Sequence, residues 1–424
     1  MTDLQIRGRK IALLDSNDNI IYTLPDSAGP AGNAIVSDGA GRLNFGGINL
    51  DSVLAAGDSS SRTMNVDNLE VDTANVGIFV STGLRDFQGQ FEGYVMGGRT
   101  NDPSIAPPTI TTTVNVIDKF PFASESTVTD VGDLTITRYS ISDGVNSTAH
   151  GYGAGGLAPT TANTIDKFAF GSTTNAQDVG DLTYASGYAR GHSTPSEGFV
   201  SVGRSFSPSI DTIQKFPFAT DANATDVGQL ITNRILTLGS CTSPTHGYVA
   251  GGGNNGGPTP SPFAPFGPGQ PNDAQNIEKF PFSISSGTST EVGDLFLFGK
   301  RVLRDGTAFS SPAGEGVLIS GSFYGPPFGT QSFVQKFPFA SDVNATEVGS
   351  LQSGRQYTSA ASISSSTHGY AVGGNDFSSP TSEQPQPGYS HRGDIYRFPF
   401  SNLTQDAVVG DIGLERSNGG GVSL

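Results

Sequence analysis

Repetition constrains this chain more than any other feature. A Phe-x-Phe element occurs six times, at Phe120/Phe122, Phe168/Phe170, Phe216/Phe218, Phe280/Phe282, Phe337/Phe339 and Phe398/Phe400. A basic residue precedes each copy (Lys119, Lys167, Lys215, Lys279, Lys336, Arg397). A Val-Gly pair follows each, at Val131-Gly132, Val179-Gly180, Val227-Gly228, Val292-Gly293, Val348-Gly349 and Val409-Gly410. A second element stands upstream of every copy: GYVMGG at Gly93, GYGAGG at Gly151, GFVSVG at Gly198, GYVAGG at Gly247, GVLISG at Gly316 and GYAVGG at Gly369. Successive copies lie 48 to 64 residues apart. Periods of this size belong to solenoids, propellers and arrays, whose units cannot bury their own faces and must be covered by neighbours.

Within a repeat, short apolar runs are bounded by Gly, Pro, Asn, Asp and Ser. No long stretch carries a 3.6-residue period, so the chain reads as all-β. In HGYVAGG…NIEKFPF…TEVGDL, residues 248–250 form a short apolar strand and residues 277–282 an alternating one. Residues 291–295 form a third, with Gly293 at a bulge. The segment AFSSPAGEG before the next glycine element holds a fourth. Four antiparallel strands make one propeller blade, so six repeats predict a six-bladed β-propeller over residues 91–424. The first repeat lacks an innermost strand of its own. Residues 417–424 at the C-terminus supply it, closing the ring so that no sheet edge stays open. The twelve motif phenylalanines are expected to pack between blades.

Net charge is −16, the acidic residues outnumbering the basic ones by 39 to 23. Such a surface repels nucleic acid, and no cluster of Lys and Arg could track phosphates. Nucleic acid is therefore not an expected partner. One cysteine, Cys241, excludes an internal disulfide framework and a cysteine zinc site. The start MTDLQIRGRK lacks the apolar core of a signal peptide, and no stretch is long and apolar enough to cross a bilayer as a helix. Membrane insertion is not expected.

The catalytic signals are weak. His150, His246 and His368 recur at one blade position and read as strand-end hydrogen-bonding residues rather than bases. Asp130, Asp133, Asp178 and Asp181 could hold Ca²⁺. Bulge and turn chemistry accounts for them more simply, so no metal and no cofactor is expected. The Asn of the repeated NAT likewise reads as a turn residue rather than a glycosylation acceptor.

In a four-stranded meander, the loop between the second and third strands and the link to the next blade emerge on one face. From the glycine element to the basic residue the chain runs 10 to 26 residues, whereas from the first Phe to the Val it runs 11 residues, or 12 in the fourth copy. Variable loops on a rigid scaffold are where binding usually resides. The candidate receptor-binding residues on that face are Arg99, Asn101, Asp102, Asn254, Phe263, Phe266, Phe323, Tyr324, Tyr389, His391 and Arg392. Their flat rings can stack, and their amides and charged groups can hydrogen-bond.

The order of elements resembles the kelch repeat. Arg138, Tyr152, Gly155, Gly156 and Phe168 stand in its places, as do Arg234, Tyr248, Gly251, Gly252 and Phe280, and Arg355, Tyr370, Gly373, Gly374 and Phe398. The chain departs from that pattern in having no Trp and placing Val-Gly in the last strand. Residues 1–48 contain two hairpin patterns, KIALLDSNDNIIYTLP and AGNAIVSDGAGRLNFG, and resemble the short head modules of tailed-bacteriophage virion proteins. Residues 49–90 resemble the connector of phage tail fibres. The KFPFATDANATDVG and THGY wording resembles propeller proteins carried by phages of marine cyanobacteria.

These resemblances imply a non-enzymatic virion protein with a small N-terminal β-hairpin module and a kelch-like propeller. Residues 1–48 would attach to other virion proteins. The propeller loops would meet a host surface receptor, a glycan or a protein, from the tail or particle surface of a homo-oligomer. The alternatives are a head, neck or tail decoration protein with a packing role, and a polysaccharide-degrading enzyme. The last requires two carboxylates set across one pocket.

Overall fold

The computed structural model describes residues 89–101, 111–125, 128–158, 160–203, 210–232, 234–235, 237, 239–254, 275–296, 306–323, 329–351, 360–378 and 388–424, together with five short strands near the N-terminus. The chain divides into two units, Met1–Val80 and Ser81–Leu424. In the first, Leu4–Arg7, Lys10–Leu14 and Ile20–Thr23 form an antiparallel sheet, and Ala34–Ser37 pairs with Leu43–Gly46. The second is a six-bladed β-propeller.

Blade 1 is ordered Gly420–Ser423, Glu92–Asn101, Thr111–Pro121, Thr129–Asp133 from the inside out. The C-terminal strand thus sits innermost against the N-terminal one, with Val422 opposite Tyr94. Blade 2 has His150–Ala154, Thr164–Ala169 and Gln177–Asp181, with residues 142–147 along its inner edge through Ser142, Val145 and Ser147. Blade 3 is Arg190–Ser193, Glu197–Gly203, Ile210–Pro217 and Thr225–Gln229. Blade 4 is Gly239–Thr242, His246–Ala250, Asn276–Pro281 and Thr290–Asp294. Blade 5 is Thr307–Ser311, Glu315–Phe323, Gly329–Pro338 and Thr346–Ser350. Blade 6 is Ala361–Ser364, His368–Val372, Asp394–Pro399 and Ala407–Asp411.

The repeated letters have local reasons. The first glycine of each upstream element lies directly opposite the first Phe of its own blade, as Gly151 does Phe168 and Gly247 does Phe280. In blades 1 to 5 the phenyl ring folds over that glycine, and a Cβ on Gly151 would fall 2.4 Å from the Phe168 ring; at Gly369 the nearest ring is Phe309 of blade 5. The Val-Gly pair forms a bulge in all six blades, where one residue of the outer strand has no opposite number. At the first bulge, Gly132 adopts φ of 143°, and its N–H donates to Asp130 Oδ1 at 3.0 Å. Asp178 and Asp226 accept from Gly180 and Gly228 in the same way.

Packing between blades is aromatic and closes on itself. Tyr94 of blade 1 sits 5.6 and 4.9 Å from Phe168 and Phe170 of blade 2. Tyr152, Phe199 and Tyr248 repeat the contact onto blades 3, 4 and 5. Val317 substitutes for the aromatic ring between blades 5 and 6. Tyr370 of blade 6 then meets Phe120 and Phe122 of blade 1 at 5.4 and 5.1 Å. The first Phe of every pair is fully buried and the second is partly so. Strand alternation does not divide inside from outside here. Ile277, Glu278 and Phe280 are all 0% exposed, because each blade face is covered by a neighbour.

The asparagine of NAT, and of NAQ in blade 2, does more than shape a turn. Asn175, Asn223 and Asn344 Oδ1 accept the N–H of Asp133, Asp181 and Asp294 on the preceding blade, at 2.9 to 3.1 Å. The next residue, Ala176, Ala224 or Ala345, donates its N–H to the carbonyl of that same aspartate at 2.8 Å. These two bonds latch one blade to the next. Between blades 3 and 4 the latch is instead an exchange of Gln229 with Gly287 and Ser289, which accommodates the extra residue of the fourth copy.

A deeper tie joins the described links to the following blade. Arg138 pairs with Asp166 at 2.9 Å, Arg416 with Asp118 at 2.8 Å, and Arg234 with Glu278. These three arginines are at most 1% exposed, and burial pulls each guanidinium below its ordinary pKa while the carboxylate opposes it. In blades 3 and 5 the acid is replaced by glutamine. Gln214 and Gln335 accept the link N–H of Tyr184 and Phe296 at 3.2 and 2.8 Å.

Candidate functional site

Three places could carry chemistry: the propeller axis and the two faces. Along the axis the inner strands press on one another. A Cβ on Gly191 would lie 2.1 Å from the Asp143 carbonyl oxygen, one on Gly239 2.3 Å from Ala308 Cβ, and one on Gly421 2.5 Å from the Ser362 carbonyl oxygen. What remains is a cavity of about 60 Å³ lined by Asp143, Ser240, Cys241, Ser310, Ser362 and Val422 among others. It has room for a few waters and none for a sugar ring.

Asp143 staples this centre. Its carboxylate accepts the Gly421 N–H from blade 1 at 2.7 Å and the Ser362 N–H from blade 6 at 3.5 Å, and pairs with Arg190 of blade 3 at 3.0 Å. Burial pushes its pKa up to about 6, although Arg190 and the two N–H groups oppose the rise. The folded protein therefore binds a proton here more readily than the unfolded chain between pH ~4 and ~6. By this group alone, stability falls as pH rises through that window, by about 3 kcal/mol. A carboxyl-detected NMR titration of Asp143 should show a midpoint near 6. Asp143→Asn should remove that contribution from the pH dependence of urea unfolding.

The other buried titratable groups have structural partners. His192 holds Cys241 O at 3.2 Å and Ser201 Oγ at 3.0 Å, and burial drops its pKa to about 3, so the ring is neutral at ordinary pH. Cys241 lies on the inner strand of blade 4, its thiol donating to Phe309 O at 3.3 Å, and burial pushes its pKa up to about 12. It is not a nucleophile.

The face carrying the short turns is built of ion pairs with an alternating plan. In blades 1, 3 and 5 the basic residue pairs within its own blade: Lys119–Glu92, Lys215–Glu197 and Lys336–Glu315, at 2.8 to 2.9 Å. In blades 2, 4 and 6 that acid is replaced by His150, His246 and His368. There the basic residue reaches the next blade instead: Lys167–Asp221, Lys279–Asp342 at 2.6 Å, and Arg397–Glu125 at 2.7 Å. The three histidines start their strands, donating backbone N–H to Ser147, Ser243 and Ser365 Oγ at 3.0 Å. Burial and the adjacent cation hold each imidazole below its usual pKa. The pairs lie half-buried at the surface, where solvent screens them, and add little stability each. They fix the turns.

The opposite face carries the variable loops. Of the residues expected there, Asn101 and Phe323 lie near the ends of second strands, and Asn254 and Tyr389 on short accessory strands. Asp102, Phe263, Phe266 and Tyr324 lie outside the described residues. Arg99, His391 and Arg392 are brought together where blade 6 meets blade 1. The strand Gly388–His391 pairs with Asn375–Ser378 and lies against Glu92–Asn101. Arg392 donates its N–H to Gly374 O at 3.0 Å. His391 is not the exposed loop residue that sequence suggests. It is 2% exposed, because the accessory hairpin tucks its end beneath that junction. Tyr139, not singled out by sequence, lies under the Arg99 guanidinium, 4.8 Å from carbon to ring centre. Being unrepeated, it had no signal in the repeat pattern.

No family model matches this chain, and no curated protein matches it. Among solved structures, one described as the structure of YjhT superposes with a TM-score of 0.53 at 9% identity, covering 74% of this chain and 97% of that one. At that identity the likeness concerns the propeller fold alone.

Proposed function

We propose that this chain is a non-enzymatic binding protein, a virion component of a tailed phage whose propeller offers its loop face to a receptor on the host surface. The observation that carries the reading is the asymmetry of the two faces. One is tied down by six ion pairs at fixed turns. The other bears the variable second-to-third-strand connections, with an accessory strand pair at Arg234–Ile235/Gly253–Asn254 and an accessory hairpin at Asn375–Ser378/Gly388–His391. Binding on a scaffold favours this division. The closed axis and the structural partners of the buried acids and bases favour a binding role over a catalytic one. The phage assignment rests on the wording of the repeats and of residues 1–48.

A packing role in the head, neck or tail is the second reading. It is favoured by an arc of exposed apolar side chains on successive links, Tyr184 at 45%, Ile231 at 49% and Phe296 at 36%. Antibody against the propeller, imaged on intact particles of the encoding virus, separates the two. Label at the tail tip or fibres supports receptor binding. Label over the head or neck sinks it and favours packing, and particles without label remove the virion assignment altogether.

A further inference from the structure

We propose that the exposed apolar side chains on the links from blade 1 to blade 5 form a docking surface for a basic amphipathic segment of another protein. The inference deepens the packing reading above by naming the chemistry of the partner. Among the described residues, eight large apolar side chains are exposed, and four of them stand on four successive links. Ile136, 37% exposed, lies between blades 1 and 2, and Tyr184, Ile231 and Phe296 continue the row to blade 5. Apolar side chains grouped along one arc mark an interaction surface, where scattered ones do not.

The row sits on a fixed frame. The leucine at the start of each link, Leu134, Leu182, Leu230 or Leu295, is buried. A buried side chain of the next blade then accepts a link N–H. Thr135 donates to Asp166 Oδ2 at 3.1 Å, Tyr184 to Gln214 Oε1 at 3.2 Å, Ile231 to Glu278 Oε2 at 3.0 Å and Phe296 to Gln335 Oε1 at 2.8 Å. The backbone is held while the apolar side chains stay in water. A surface already in shape loses little freedom when a partner covers it.

Charge selects the partner. Asp133, Asp181 and Asp294 immediately precede three of these leucines, with Gln229 before the fourth. They latch the next blade through their backbone groups, and their carboxylates pair with no described cation. Asp130, Asp178, Asp226 and Glu291 stand exposed on the same outer strands. The described lysines of the propeller are engaged on the opposite face, by Glu92, Asp221, Glu197, Asp342 and Glu315. The arc therefore joins apolar side chains to unmatched negative charge. A second copy of this chain, at net charge −16, would set acid against acid, and so would an anionic lipid surface or nucleic acid. A segment that interleaves apolar residues with Lys or Arg meets both features.

The test titrates the full chain with a fluorescein-labelled amphipathic helix peptide of leucine and lysine, read by anisotropy. Two counterparts carry glutamate for lysine or serine for leucine. We expect the leucine–lysine peptide to bind saturably and each counterpart to bind about tenfold more weakly or worse. Ile136→Ser/Tyr184→Ser/Ile231→Ser/Phe296→Ser, checked for an unchanged Tm, should weaken the first peptide about tenfold or more. Asp133→Asn/Asp181→Asn/Asp294→Asn should weaken it and flatten its salt dependence. Val343→Ser/Val408→Ser removes exposed apolar side chains away from the links and should leave it unchanged. No saturable binding overturns the proposal, as does binding that the four-residue variant leaves unchanged or that Val343→Ser/Val408→Ser weakens equally. So does protection of Tyr184 and Phe296 from hydroxyl-radical labelling in the isolated chain, the result expected if its own residues 297–305, with Lys300, Arg301 and Arg304, cover the arc. The titration reads the arc on the isolated chain, so its failure leaves the packing reading to be decided by the label on the particle.

Discussion

Deleting residues 417–424 is expected to abolish cooperative unfolding of the propeller, the largest effect foreseen for any change in this chain. The deletion removes the inner strand Gly420–Ser423 and leaves one long edge of Glu92–Asn101 without its ladder. It removes Val422, 2% exposed in the core that also holds Tyr94 and Phe168. It also removes the Leu424 carbonyl that receives the N–H of Gln90 and Phe91 at 2.7 and 2.8 Å. Asp143 loses the Gly421 N–H at the axis as well. An open ring exposes a strand edge and two blade faces, which invites association. Urea unfolding followed by circular dichroism should lose its single sigmoid, and size exclusion should show aggregate. A truncated chain that stays monomeric and melts in one transition near the full-length Tm would show that the strand pairing is dispensable.

Arg234→Met is expected to destabilise the protein by about 3–5 kcal/mol, the scale found when one partner of a buried ion pair is removed. The charge left behind is Glu278, itself 0% exposed. Glu278 would keep the Ile231 N–H at 3.0 Å and the Ser289 hydroxyl at 2.6 Å. Two carbonyls, Gly251 and Asn276, would also lose the Arg234 donor at 3.0 and 3.1 Å. The protein contains its own remedy. Blades 3 and 5 place Gln214 and Gln335 where blade 4 has Glu278, each receiving a link N–H. The double variant Arg234→Met/Glu278→Gln should therefore recover a large part of the loss, and a denaturant midpoint for each variant checks it. If the double variant is as unstable as Arg234→Met alone, the buried charge is not the main term.

Most of the fold was legible because it is repeated. A letter that recurs six times at one spacing reports a requirement of the blade. Gly opposite Phe, Val-Gly at the bulge and a ring, or Val317 in blade 5, against the next blade are all local or nearest-blade demands. The alternation of Glu92, Glu197 and Glu315 with His150, His246 and His368 is equally visible as letters. Its meaning was not, since the partners of Lys167 and Arg397 lie 54 and 272 residues away. The NAT asparagines looked like turn residues because their acceptor role is played toward the preceding blade. Asp143 and Tyr139 occur once each, and a repeat pattern says nothing about a residue it does not contain.

The candidate site divides the same way. Sequence located the variable loops and named Arg99, His391 and Arg392 among them. It took His391 for a surface residue, since loop composition does not reveal that Gly388–His391 forms a strand against blade 1. By itself the sequence determined the all-β class, the six units and their order, because periodic burial and turn chemistry are written within each repeat. Only the tertiary structure decided which charges are buried together, that the axis is closed, and that His391 is buried where the first and last blades meet. Those outcomes depend on contacts between blades, where distance along the chain carries no information about distance in space.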